Sequence, residues 1–385
     1  MVSSWAPPTI GGTPTVLRNL LRALGMRHPV RVEIVRQRVE PEAPGEERIW
    51  DTTTFTRPRA VAKVRGGHYA LVPRVFATVF WRALSKRDMA ILVILPEESF
   101  ALASALACRL TRRRYALYMH NTYADQAVHP VERLLAPLAE RWLIRHASPL
   151  LVLSDALHDL YLRKYGIEST VIPHIVDDDS ASSASARDLP PGVEPGRFAL
   201  FSGDVYGMNA DSLRRLVHVV KEGFRGRLQI VISGQKTKDE LRTLGIEPNV
   251  VVVGTPRETL LALQKHAAVL LAPLAFDSPF PDDVNTALPT KVIEYLVAGP
   301  PILVHAPPGS FLEERASAGG WAAVVSSTSE EELHSTIARL LDDHDLRDNL
   351  GIRAREASRA YSAENAVDAF LAAMTDGVAP AASRE

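Results

Sequence analysis

This sequence predicts an α/β protein built from two doubly wound, parallel-sheet domains, and three observations carry that prediction. Its 385 residues exceed the ~150 that one domain usually takes. Short apolar, β-branched runs alternate with amphipathic helical stretches, and glycines recur where the apolar runs end. That is the rhythm of parallel sheets covered by helices on both faces. Residues 177–197 are acidic, then Ser/Ala-rich, then Pro/Gly-rich, the composition of a linker. The predicted divisions are a first domain over 1–178, a linker over 179–197, a second domain over 198–358, and a C-terminal helix and tail over 359–385.

Composition narrows the class. A hydrophobic content of 46% with 23% charged residues suits a globular chain with ample core. Residues 1–180 hold 24 Lys and Arg against 18 Asp and Glu, whereas the remainder holds 20 against 27. A basic first half and an acidic second half imply different partners for the two. The single cysteine, Cys108, excludes an internal disulfide framework and any Cys-based zinc site, and fits a reducing cytoplasm. No run reaches the ~18 apolar residues of a membrane span, and MVSSWAPP lacks the layout of a signal peptide.

In chain order, Pro7, Pro8 and the pair Gly11-Gly12 precede a helix over Thr15–Leu24, whose apolar face is Val16, Leu17, Leu20, Leu21 and Leu24. A glycine pair before a helix lets backbone amides approach a phosphate or a sugar. Val30–Val35 reads as a strand and Pro41–Pro58 as a polar loop. Residues 52–87 contain no acid, but interleave basic residues such as Arg57, Arg59, Lys63, Arg65 and Arg74 with Phe76, Phe80 and Trp81. Such a stretch can lie on an anionic membrane surface. Nucleic acid is not expected, since no binding motif accompanies the charge.

Met89–Leu95 is the next strand, with Glu97, Glu98 and Ser99 at its C-terminal end, where ligands sit in open α/β sheets. A helix over Ala101–Leu110 leads to the strand Tyr115–Met119, which ends at His120-Asn121. Pro130–His146 is a helix and Leu150–Leu153 a strand, and Ser154 caps a helix running to Lys164. Thr170–Ile172 closes the first domain.

The second domain opens with the strand Phe198–Phe201, turns at Ser202-Gly203-Asp204 and enters a helix near Asn209. Strands over Leu228–Ile232, Val250–Val253 and Ala268–Ala272 follow, with a helix over Thr259–Lys265 between the last two. Pro273–Leu288 reads as an acidic loop holding Asp277, Asp282 and Asp283. In Leu288–Val304, Pro289 suits a helix start, Val292, Ile293, Leu296 and Val297 recur at helical spacing, and Gly299 stops the helix before the buried strand Ile302–Val304. Glu294 lies in this short helix between buried strands, where a carboxylate is costly without a partner. Helices over Leu346–Arg359 and Ala363–Met374 end the chain.

The run Pro289, Thr290, Lys291, Glu294, Tyr295, Gly299 and Pro301 closely resembles the nucleotide-binding segment of two-domain GT-B glycosyltransferases, in particular family 4. The order of the other segments fits along nearly the whole chain. The resemblance implies the GT-B fold, two Rossmann-like domains facing an interdomain cleft, with the last helix crossing back to the first domain through Tyr361 and Phe370. It implies that Glu294 binds the ribose of a nucleotide-sugar, and that Gly203, Pro289, Thr290 and Lys291 lie at its diphosphate. Gly11, Gly12 and His120 would line the sugar or acceptor side, His120 as the candidate catalytic residue, and His174 would touch donor or acceptor. In such a family a full strand precedes the first turn. Here only Met1-Val2 stands in its place, so either the start lies upstream or the strand is abbreviated.

The implied activity is transfer from a nucleotide-sugar, expected to be UDP-linked, to a cell-envelope glycan, lipid-linked or secondary-metabolite acceptor, with retention. No cofactor is implied, and with no Asp-x-Asp at a strand end no metal is expected. The expected location is the cytoplasm, with peripheral membrane contact through residues 57–87.

Two departures stand against the family pattern. Thr286 occupies the place of an acid that contacts the donor sugar, and no basic residue precedes Arg214 where an Arg/Lys pair usually holds the diphosphate. Lys291 or Lys236 could supply that charge. The departures keep open a catalytically silent GT-B-like partner subunit, and a sugar-nucleotide epimerase is a further alternative.

Overall fold

The computed structural model describes residues 1–7, 9, 11–38, 50–58, 60, 67–95, 98–127, 130–176 and 184–376. Pro8, Arg59, Lys63, Arg65, Glu97 and Asp177 to Asp179 lie outside the described residues. The chain divides into two compact units: Met1–Ile175 together with the C-terminal segment from Ala363, and Val176–Ser362.

In the first unit, β1 (Glu33–Gln37), β2 (Asp51–Phe55), β3 (Leu92–Leu95), β4 (Ala116–Met119), β5 (Leu150–Val152) and β6 (Thr170–Val171) alternate with helices. These are α1 (Gly12–Arg27), α2 (Val72–Ser85), α3 (Glu98–Leu110), α4 (Pro130–His146) and α5 (Asp155–Tyr165). Parallel pairing gives β1 with β2, and β3-β4-β5-β6 in that order. Val2 joins the two sets through parallel bridges to Val35 and Val93. Its N–H donates to Leu92 O at 2.8 Å, and its carbonyl accepts from Ile94 N at 2.9 Å. Val2 therefore bridges β1 and β3 within one sheet.

Successive strand residues face opposite ways, as the pleat requires. Leu92, Ile94, Ala116 and Tyr118 pack with α1, while Val93, Leu95, Leu117 and Met119 pack with α2 to α5. Both faces are covered, which is why these strands read as continuous apolar runs.

The structure corrects the reading of Pro41–Pro58 as loop. Residues 51–55 form β2, parallel to β1. This is a mostly exposed edge strand of sequence DTTTF, with no apolar alternation to announce it. β1 likewise starts at Glu33, and Val30 and Arg31 before it are exposed, with the Arg31 side chain paired to Asp51 of β2.

The second unit runs β7 (Phe198–Ser202), α6 (Ala210–Gly223), β8 (Gln229–Gly234), α7 (Lys238–Thr243), β9 (Val250–Val253), α8 (Arg257–His266) and β10 (Val269–Pro273). It continues with α9 (Pro281–Thr286), α10 (Thr290–Ala298), β11 (Ile302–His305), α11 (Phe311–Gly319), β12 (Ala323–Val325), α12 (Glu330–Asp342) and α13 (His344–Ser358). All pairs are parallel, in the order β12-β11-β10-β7-β8-β9. The direction of winding reverses between β7 and β10, so the crevice beyond their C-terminal ends is where such a sheet takes a ligand.

The expected acidic loop Pro273–Leu288 contains α9, with Asp282 and Asp283 in its first turn and Asp283 buried. Carboxylates there suit the positive end of a helix. Residues 184–197 pack on this unit: Val193 is buried, Lys265 Nζ donates to Ala184 O at 3.1 Å, and Gly196 N donates to His266 O at 2.8 Å.

α14 (Ala363–Asp376) returns to the first unit, where Phe370 packs beside α1. Tyr361 does not share that role. It is half-buried against the core of the second unit, and its carbonyl accepts from Val176 N at 3.1 Å.

Candidate functional site

In the second unit the expected residues converge at the reversal point of the sheet. Gly203 follows β7 with φ 124°, a conformation that favours glycine. Its N–H donates to Ser233 O at 2.7 Å, and a Cβ on it would lie 3.1 Å from Lys291 Nζ. A Cβ on Gly234 would meet Gly203 O at 2.4 Å, so two successive strand ends approach as only glycines allow. Asn209 braces the turn that follows: its Oδ1 accepts from Tyr206 N at 3.2 Å and its Nδ2 donates to Asp204 O at 3.1 Å.

Tyr295 in α10 fastens this strand end to the helix. Ser202 N donates to its hydroxyl at 3.0 Å, and Ser202 Oγ lies 2.8 Å from the same oxygen. Pro289 precedes the first turn of α10 with φ −59° and ψ 135°, and supplies no side-chain cap. Val292 N turns back to Pro289 O at 2.8 Å. The N–H groups of Thr290 and Lys291 have no acceptor within the helix, which makes this end receptive to an anion.

Lys291 is the cation of this site. Its Nζ sits 3.6 Å from the centroid of the Phe201 ring. Burial lowers its pKa to about 7, and the charge of Asp204 works against that fall. Lys236 Nζ is 3.6 Å from Asp204 Oδ1, so it too lies beside this turn.

Glu294, one turn further along α10, is held by α8. Arg257 Nη1 donates to Oε1 at 2.9 Å and Gln264 Nε2 donates to Oε2 at 2.9 Å. The carboxylate side chain is 13% exposed, so it has both a clamp and an open edge. No sequence motif singles out Arg257 and Gln264. Their spacing of seven places them on one face of α8, but only the packing of α8 on α10 shows what that face meets. Thr286, in the family's acid position, spends its hydroxyl on its own helix, donating to Asp282 O at 2.8 Å.

A second unforeseen group fixes the loop after β10. Asp211 Oδ2 accepts from Phe276 N at 3.1 Å, Asp277 N at 3.3 Å and Arg215 Nη2 at 3.2 Å. His305 pairs through Nδ1 with Ser212 Oγ at 2.6 Å and through Nε2 with Ser327 O at 3.0 Å. Burial holds its pKa down at about 4, so this histidine is a neutral strut.

The first unit gathers the other expected residues. Gly11 caps α1 with φ 155°, and its carbonyl accepts from Thr15 N at 3.0 Å and Thr15 Oγ1 at 2.8 Å. Gly12 is the first residue of α1. His120, just past β4, reaches this helix: its Nδ1 lies 3.2 Å from Thr13 Oγ1. Segments 107 residues apart in sequence thus meet at one imidazole.

The ring of His120 packs edge-on against Tyr118, with centroids 4.4 Å apart. Burial, helped by the neighbouring His174, lowers the pKa of His120 to about 3. The imidazole is therefore neutral at pH 7, and it is too weak a base to collect a proton from a hydroxyl efficiently. Its buried Nε2 has no hydrogen-bond partner among the described residues.

The loop after His120 is fastened from below by buried Glu140. Oε2 accepts from Tyr123 N at 3.2 Å and Ala124 N at 2.9 Å, and Oε1 accepts from Tyr165 OH at 2.7 Å. Elsewhere in this unit the Tyr69 hydroxyl donates to Glu98.

Comparison with known proteins agrees with this architecture. Sucrose-phosphate synthase from Thermosynechococcus elongatus superimposes with a TM-score of 0.71 at 15% identity, covering 97% of this chain and 97% of that one. HepE from Anabaena, in complex with UDP-glucose, gives 0.69 at 14% identity over 97% and 98% of the two chains. The α,α-trehalose 6-phosphate synthase from Burkholderia multivorans gives 0.66 at 14% identity over 99% and 98%. At these identities the likeness establishes the fold, two Rossmann-like domains of GT-B type. No curated protein sequence matches this chain. The family model for Glycosyltransferase Family 4 matches residues 10–180, and that for Glycosyl transferases group 1 matches residues 196–343. With most of its length matched by these two models in order, the chain belongs to the GT-B glycosyltransferases of the family 4 type, and is a transferase enzyme.

Proposed function

We propose that this enzyme moves a sugar from a UDP-sugar to a hydroxyl of a cell-envelope glycan, a lipid-linked sugar or a secondary metabolite, with retention at the anomeric carbon. The observation that carries this function is the approach of Lys291 to Gly203 beside the open N-terminus of α10, with Glu294 one turn away. A donor needs its nucleotide gripped, its diphosphate neutralised and its anomeric carbon presented to the acceptor. Glu294 takes the ribose hydroxyls. The amides of Thr290 and Lys291 and the Lys291 ammonium receive the diphosphate, in place of the Arg/Lys pair that the family usually carries. The base is assigned as uracil because HepE is described with UDP-glucose and a trehalose-phosphate synthase neighbour as UDP-forming.

In the reaction the bond from the anomeric carbon to the diphosphate oxygen breaks and a bond to the acceptor oxygen forms, releasing UDP and the acceptor's proton. Gly11, Gly12 and His120 serve the sugar and acceptor side, where His120 contributes a hydrogen bond at Nε2. Amides and Lys291 meet the leaving charge, so the transfer calls for neither a metal nor an organic cofactor. The enzyme works in the cytoplasm and touches the membrane through residues 57–87, where exposed Trp81 and Leu84 on α2 support such a contact.

The test is release of free nucleotide from a panel of UDP-, GDP- and TDP-sugars, with and without a chelator, for the wild type and Glu294→Ala. Chelator-resistant turnover of one UDP-sugar, lost in the variant, is the expected result. A donor with another base refutes the uridine assignment. No turnover of any donor, with no thermal stabilisation by any nucleotide, refutes the proposed function as a whole. Product analysis separates transfer from epimerisation, which consumes no acceptor.

A further inference from the structure

α4 carries Leu134, Leu135 and Leu138 on the wrong side for a helix that only packs on a core. Its buried residues are Ala136, Glu140, Leu143 and Ile144. Val131, Leu134, Leu135 and Leu138 instead lie at 57, 70, 54 and 62% exposure. Those four positions run i, i+3, i+4, i+7, the spacing of a single apolar stripe. Scattered exposed leucines need no explanation, but a continuous stripe marks an interaction surface.

The stripe does not stand alone. α3 packs against α4 and presents Leu106 and Leu110 at 46 and 61% exposure. Both helices cover the same face of the first unit's sheet, the face opposite α1.

Charge decides what covers it. The exposed charged side chains of α4 include Arg133, Arg141 and Arg145. Its two acids are half-buried Glu132 and buried Glu140. The end of α3 adds exposed Arg109, and Arg112 and Arg114 follow it. A second copy of this chain placed on the patch about a twofold axis would set arginine against arginine. An anionic bilayer suits both properties at once, since leucines enter the boundary between headgroups and acyl chains while arginines meet lipid phosphates. No helix among the described residues is long and apolar enough to cross a membrane, so the contact would be peripheral.

We propose that the face formed by α4 and the C-terminal end of α3 docks this protein on an anionic lipid bilayer, with Leu134, Leu135 and Leu138 inserted and Arg141 and Arg145 on the lipid phosphates. The inference is independent of the donor assignment, and it rests on residues of α3 and α4 rather than on residues 57–87.

The experiment is co-sedimentation of the full chain with vesicles of phosphatidylcholine, alone or mixed with phosphatidylglycerol. Binding is expected only to the mixed vesicles, and should be released by salt. Leu134→Asp/Leu138→Asp should abolish it, and Arg141→Glu/Arg145→Glu should weaken it by on the order of tenfold or more. Both variants should keep the wild-type melting temperature within a few degrees and wild-type hydrolysis of a soluble donor, which shows that they are folded. Absence of binding to mixed vesicles, or binding undiminished in both α4 variants, overturns the proposal. Binding lost only in Trp81→Asp overturns it too, leaving contact through α2. A dimer in light scattering that Leu134→Asp/Leu138→Asp dissociates assigns the patch to a second copy instead.

Discussion

Replacing Lys291 with methionine removes an ammonium whose folded surroundings disfavour its charge, while keeping most of the length of the side chain. The folded pKa falls from 10.5 to about 7, chiefly through burial. At ~1.4 kcal/mol per unit, this is a penalty of roughly 4–5 kcal/mol on the charged form. Lys291 keeps some contact with solvent, so about 2 kcal/mol is the expected net effect. The sign follows from proton binding. Between pH 7 and 10.5 the unfolded chain holds more protons at this site than the folded one. Wild-type stability therefore rises with pH across that window, and the penalty is complete below pH 7.

A thioether in place of the ammonium would lie on the Phe201 ring without that penalty. Lys291→Met should therefore be more stable than wild type at about pH 6, by about 2 kcal/mol, with the gain vanishing toward about pH 10. Urea unfolding measures this in the second unit when the buried Trp321 is the one tryptophan kept, the other four being replaced by phenylalanine in both proteins. The same variant should lose donor affinity. In the wild type, donor Kd should rise about tenfold per pH unit above the Lys291 pKa, because binding must restore the proton. A variant no more stable at low pH, or a donor Kd flat across that range, refutes the assignment of Lys291 as a desolvated cation awaiting an anion.

Gly203→Ala should cost about 1–3 kcal/mol in stability and abolish nucleotide release, since φ is 124° and the new Cβ would push on Lys291 Nζ from 3.1 Å. A fully active Gly203→Ala enzyme would contradict that placement. Glu140→Ala leaves the N–H groups of Tyr123 and Ala124 and the Tyr165 hydroxyl without their acceptor. Thermal or urea unfolding should show a loss of about 2–4 kcal/mol. For His120, the wild-type kcat profile should show no limb near its ordinary pKa of 6.5, because burial holds it at about 3. His120→Ala should lower kcat without adding or removing a limb, and a limb that the variant abolishes would restore a proton-transfer role.

The helix α10 is legible in the sequence because everything that makes it lies within its own few residues: Pro289 at its start, apolar side chains at helical spacing, and Gly299, at φ 107°, as its stop. The buried strands are equally plain, since a sheet covered on both faces leaves continuous apolar runs. β2 escapes such a reading because DTTTF on an exposed edge has no apolar alternation and owes its structure to the pairing with β1. α9 reads as loop because six residues with an acidic first turn resemble a turn in sequence.

By itself, the sequence determined two doubly wound units and their approximate elements, since short-range periodicity and turn chemistry encode those. Only tertiary structure decided that Glu294 is gripped by Arg257 and Gln264, that Lys291 stacks on Phe201 beside Gly203, and that His120 reaches Thr13. It also decided that Leu134, Leu135 and Leu138 of α4 face outward. These are contacts between segments distant in the chain, or choices of which helix face is buried. Both depend on how elements pack, which no local pattern of residues specifies.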